Sequence, residues 1–209
     1  MAQASKQILA QRRAPANAVG RLILDFVSQV PPGRVPPSGD ATARAQVIAD
    51  AAAQRAGLTA GSLALPPGPL GWVTVLPELV AVWKIQAQMV SDIAAAHGKH
   101  AVLGREQMLY CLFRHTAAQA FRDVVVRAGD RLLFRRASMK GLEYLTQRIG
   151  ISVSRRALGK GMSRWLPLLG AIGVGWYARY DTHQVAKTAM AMFSGDMEIA
   201  DGALPVPGA

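Results

Sequence analysis

From Asn17 onward, Val19, Leu22, Ile23, Phe26, Val27 and Val30 recur at the i, i+3, i+4, i+7 spacing of one helix face, with Asn17 placed to cap the first turn. Pro31, Pro32, Pro36 and Pro37 stop that helix, because proline lacks the N–H and disfavours helix in the residue before it. Asp40 to Ala56 then predicts a second helix, with Val47, Ile48, Ala51 and Ala52 on one face and Gly57 as its stop. After the break at Leu65 to Gly71, a third helix is expected from about Leu76 to Ala96, with Pro77 in its first turn and Gly98 ending it. Glu78, Lys84, Gln88 and Asp92 are its few polar positions, so it reads as central. Arg105 to Ala128 predicts another long helix, with Leu109, Leu112, Phe113, Ala120, Phe121 and Val124 apolar and Gly129 ending it. Asp130 to Ile149 gives a less regular one, and Gly150 to Gly161 reads as a loop or short helix.

The most apolar stretch is Trp165 to Ala178, which carries no charge and is closed by Arg164 and Arg179. As a helix it reaches roughly 21 Å, short of a hydrocarbon core of about 30 Å, so it is expected to be buried against protein or laid into a bilayer interface. Gly170, Gly173 and Gly175 within it mark close approach of a neighbouring helix. The pattern predicts a break at Tyr180-Asp181 and a new helix beyond it, with Asp181 and Gln184 as a capping box and Val185, Ala186, Ala189, Met190 and Phe193 on its apolar face. Strand alternation is not convincing anywhere. The expected fold is therefore all-α, a compact multi-helix bundle with two long apolar central helices: a basic arm over residues 1–16, one domain over 17–195, and a mobile Pro/Gly-rich tail over 196–209.

Charge narrows the class of partner. The formal net charge is +11 and the pI about 10.7, a bias toward anionic lipid, nucleic acid or an acidic protein surface. Between Arg105 and Arg164 thirteen Lys and Arg stand against four carboxylates, so that stretch carries +9 of the +11. Arg127, Arg131, Arg135, Arg136 and Lys140 are the candidate anion-binding residues; beside Leu132, Leu133 and Phe134 they would suit a lipid surface or, alternatively, a phosphate backbone. Cys111 is the single cysteine, so no internal disulfide can form and a reducing compartment fits. The basic N-terminus lacks the apolar core of a secretory signal, and export is not expected.

Candidate chemistry is sparse. Cys111 and His115 stand at i, i+4, the minimal arrangement of a thiol and a base, but LYCLF surrounds the thiol with apolar residues, which favours an inert core cysteine. His97 and His100 straddle Gly98 without further metal ligands, and a helix-ending His97 is explained by the C-terminal dipole. Gly159-Lys160 has Ser154 where a phosphate-binding loop requires glycine, and no strand precedes the glycines of the apolar segment. Glu78, Lys84 and Asp92 form a candidate buried polar site, against the plainer reading of a first-turn carboxylate followed by a partly wet strip. Neither a catalytic set nor a cofactor is implied.

Three strings in this order, LPELVAVWKIQAQMVSDIAAAHGK, REQMLYCLF and WLPLLGAIGVGWYARYDTHQVAKTAMAMF, resemble the EcsC protein family over roughly Pro66 to Phe193. The resemblance implies a bacterial helical protein without an established activity, associated with membranes and offering no agreed catalytic residues. Together these observations lead to an expected cytoplasmic, non-catalytic binding protein, peripheral at the inner membrane, that acts on an anionic lipid surface or an acidic protein. The alternatives are a nucleic-acid-binding protein using the basic face 105–164, and a hydrolase or small-ligand protein with a pocket near Glu78 and Asp92.

Overall fold

The structure, a computed structural model, describes residues 19–63, 71–118, 142–151 and 167–195. Among these residues the chain is all-α: α1 over 19–27, α2 from Ala41 to Leu63, α3 from Gly71 to Ala96, a turn of 3-10 helix from His100 to Val102, α4 from Arg105 to Phe113, α5 over 142–151 and α6 from Pro167 to Ser194. The basic candidates Arg127, Arg131, Arg135, Arg136 and Lys140, and both expected tails, lie outside the described residues.

α1 buries Val19, Ile23 and Val27, as its spacing predicts, with Leu22, Phe26 and Val30 packed against the core edge. It crosses α5 closely at Gly20, where an added Cβ would stand 3.0 Å from the Gln147 backbone. α3 ends as expected: Gly98 takes φ +67°, the Gly98 N–H donates to Ala95 O and the Lys99 N–H to Ala94 O, satisfying two carbonyls that the helix end would leave unpaired. Its buried face, including Trp83, Met89, Val90 and Ile93, meets Leu109 and Phe113 of α4, Ile149 of α5 and Val185 and Phe193 of α6 in one core. Trp83 stacks edge-on against Phe113 with ring centroids 5.2 Å apart.

Several helix limits and faces differ from the sequence expectation. α2 does not stop at Gly57 but runs on to Leu63. There Gly57 meets Gly175 of α6, and a Cβ on Gly175 would stand 2.8 Å from Gly57 O. Glycine serves here as a helix crossing instead of a helix end. The buried face of α2 is Ala45, Ala49, Ala52, Ala53, Ala56 and Ala60, while Val47 is 60% exposed. Small residues face the close neighbour and the larger valine is left outside. α3 begins at Gly71, so Pro77 lies in its seventh position, where the missing N–H removes one ladder bond but the fixed φ remains helical. α4 ends at Phe113, well before Ala128. Just past it the Thr116 hydroxyl donates to Phe113 O, and His115 is drawn to Asp181 of α6.

The largest correction concerns the apolar segment. Pro167 to Ser194 is one unbroken helix, so Asp181 and Gln184 do not cap anything. Ile172, Val174, Trp176, Tyr177 and Tyr180 of its first half are exposed, and Gly173 has no neighbour within 4 Å of an added Cβ. The contact with α2 runs along the small residues Gly175 and Ala178, and Thr182 is buried one turn further on. The reason is the antiparallel pairing of α2 and α6, Gly57 against Gly175 and Asp50 beside His183, which presents small residues to each other at the crossing and leaves Ile172, Trp176 and Tyr180 outside it.

Candidate functional site

The PPGRVPP stretch is a strap bound to the last turns of α3. The Arg34 N–H donates to Asp92 Oδ1 at 2.8 Å, Gln88 Nε2 donates to Pro32 O at 3.0 Å, the Gly33 N–H donates to His100 Nε2 at 3.0 Å, and the Ser38 N–H donates to Ala96 O at 2.9 Å. Gly33 is required because a Cβ would stand 2.5 Å from the Ala95 Cβ. This strap draws the start of α2 against the end of α3 and opens a cleft of about 450 Å³ between the two helices. Its floor is Ile48, Ala51, Ala52, Ile85 and Met89, and its walls carry Arg34, Arg44, Arg55 and Lys84 with the single carboxylate Asp92. The ion pairs of the described residues, His115 with Asp181 and His183 with Asp50, use none of these four cations.

Lys84, which is exposed, and Asp92, which is half-buried, both line this open cleft. The Glu78 side chain is outside the description. Asp92 has a structural task, accepting from both Arg34 and Gln88. Sequence reasoning missed Arg34, Arg44 and Arg55 because they come from a loop and a different helix. The available signal was Arg44, Ile48, Ala51, Ala52 and Arg55 at i, i+4, i+7, i+8 and i+11, a face bracketed by cations.

A second constellation lies between α3, α4 and α6. His115 Nε2 donates to Asp181 Oδ1 at 2.7 Å, and Gln86 Nε2 donates to Asp181 Oδ2 at 2.9 Å and to Thr182 Oγ1 at 3.2 Å. Thr182 in turn donates to Ala178 O at 2.7 Å. Gln86 is only 1% exposed, so this network satisfies its buried amide nitrogen, and it joins α3 and the turn after α4 to α6, while His115 Nδ1 is buried without a hydrogen-bond partner. It takes His115 away from the cysteine.

Cys111 faces the core, fully buried, with its Sγ 3.8 Å from Met192 Sδ. Burial pushes its thiol up to about 12, against a smaller opposing effect of Arg114. The thiolate population near pH 8 is then about a thousandfold below that of an ordinary cysteine. A disulfide reagent at pH 8 is expected to label Cys111 only when the chain is unfolded, and prompt labelling of the folded protein would contradict this. Because the folded value lies above the unfolded 9.0, the contribution of this thiol to stability is complete below about pH 9 and is lost as pH rises through about 12.

His97 corrects the dipole expectation: burial, and secondarily Lys99, lower its pKa, and its Nε2 is buried without a hydrogen-bond partner. Desolvation outweighs the helix C-terminus there. His100 is occupied by the strap, and no group of three or more metal-ligating side chains occurs among the described residues.

The class these sites define is an all-α bundle that carries, among the described residues, a basic, apolar-floored cleft and a helix half exposing aromatics. No family model, curated protein or solved structure matches the chain.

Proposed function

We propose that this is a non-catalytic binding protein of the EcsC-like type that works at an anionic membrane surface, on the cytoplasmic face of a bacterial inner membrane. The observation that supports the reading most is the row Ile172, Trp176 and Tyr180 on α6, exposed by 67%, 74% and 56%. These residues stand at i, i+4 and i+8, one helix face, with exposed Arg179 adjacent. Tryptophan and tyrosine favour the headgroup level of a bilayer, and an apolar helix face beside cations lies in the interface plane. No helix among the described residues is long and apolar enough to cross a membrane. The net charge of +11 adds attraction to anionic headgroups.

The test is co-sedimentation with anionic and neutral vesicles. The parent should bind anionic vesicles and bind neutral ones weakly. Trp176→Ala should weaken anionic binding by about tenfold or more, since burying one large apolar side chain contributes about 1.5–3 kcal/mol. Its fold should be intact, because the ring leaves water only on binding. Equal binding by Trp176→Ala would refute the role of α6.

Replacing Arg131, Arg135 and Arg136 by Glu changes the charge by six units and should abolish vesicle binding. If the parent instead binds duplex or single-stranded nucleic acid, and this variant loses that binding with a shallower salt dependence, a nucleic-acid partner replaces the membrane reading.

A further inference from the structure

The geometry of the cleft between α2 and α3 points to a binding site for a phosphate-bearing amphiphile, and we propose that Arg55 and Lys84 hold the phosphate while the apolar tail lies along the floor. The strap bonds place the start of α2 beside the end of α3, so the two helices run antiparallel and the cleft has two chemically different ends. At one end Arg34 and Arg44 stand with Asp92. Towards the other, Arg55 lines the cleft from α2 and Lys84 from α3, and Asp92 is the single carboxylate of the lining. Two cations without a counter-ion in the described structure match the charge of a phosphate monoester, and charge-assisted hydrogen bonds to phosphate are among the strong ones.

Between the two ends Ile48, Ala51, Ala52, Ile85 and Met89 form an apolar surface. From Arg44 to Arg55 α2 extends about 16 Å, the reach of a medium-length acyl chain. A free anion would leave that floor wet. The cleft has a volume of about 450 Å³. That volume lies within the range of small-molecule sites. This site is separate from the α6 stripe and does not require a bilayer.

The test uses the full chain and a water-soluble short-chain phosphatidic acid, held below its micelle-forming concentration so that no surface is present. Binding is read by the shift in melting temperature, since a ligand that binds only the folded chain raises it. Inorganic phosphate, and phosphatidylcholine of the same chain length, are the comparison probes. The phosphatidic acid should raise the melting temperature, with at least tenfold weaker binding for either comparison probe. Arg55→Glu/Lys84→Glu should weaken binding by at least thirtyfold, and because both side chains are exposed the variant should melt like the parent without ligand. Ala51→Phe fills the floor without changing charge, and should lose the phosphatidic acid yet respond to inorganic phosphate as the parent does. Trp176→Ala should bind the soluble amphiphile normally, which separates failure of this site from failure of the surface. Unchanged binding in the double-Glu variant, or equal affinity for inorganic phosphate and the amphiphile, would overturn the assignment.

Discussion

Gly175→Leu is expected to lower the melting temperature by roughly 6–12 °C, the shift produced by about 3 kcal/mol in a chain of this size and at the upper end of overpacking costs. The cause is geometric. A Cβ on Gly175 would stand 2.8 Å from Gly57 O and 3.6 Å from Gly61 Cα, and both of those neighbours are backbone that no rotamer change can move aside. α2 and α6 would have to separate, and their pairing is the most extensive helix contact in the described structure. Gly173→Leu, two positions away, is the control. It faces open space, so it should leave the melting temperature unchanged or raise it slightly, because glycine is the poorer helix former by about 1 kcal/mol. Equal losses from the two substitutions would show that the helix, and not the crossing, is the sensitive element.

Asp181→Ala should cost about 3 kcal/mol, because one carboxylate accepts from both His115 and Gln86 and its loss leaves two donors short of a partner. Gln86 retains only Thr182 as an acceptor, in a position closed to water. Asp181→Asn keeps the shape and one acceptor, and should cost about half as much. A double-mutant cycle with His115→Ala is the sharper measurement: two residues in direct contact should couple by more than about 0.5 kcal/mol. Strictly additive losses would mean that the 2.7 Å contact does not contribute to stability.

The local rules of the chain determined much of this architecture. The spacing of Val19, Ile23 and Val27, the proline breaks, and the glycine at position 98 suffice to place α1, the strap and the end of α3, since each depends on neighbours within a few residues. The apolar setting of Cys111 likewise foretold an inert thiol. What only tertiary structure decided is which side of a helix is covered and by what. Gly57 looks in sequence like a helix stop, and Gly173 like Gly175 a point of close helix approach, yet only Gly57 and Gly175 form the crossing, because it is there that α2 and α6 meet. Asp181 resembles a helix cap because Gln184 follows it three residues later, yet its partners are Gln86 and His115, more than sixty residues earlier. Trp176 stands in the most apolar stretch of the chain and is nonetheless exposed, because the stripe of small residues wins the close contact and hydrophobicity alone carries no direction. The basic cleft follows the same logic: Arg34, Arg44, Arg55 and Lys84 come from a strap and two helices, and only the antiparallel pairing of α2 with α3 brings their charges around one apolar floor.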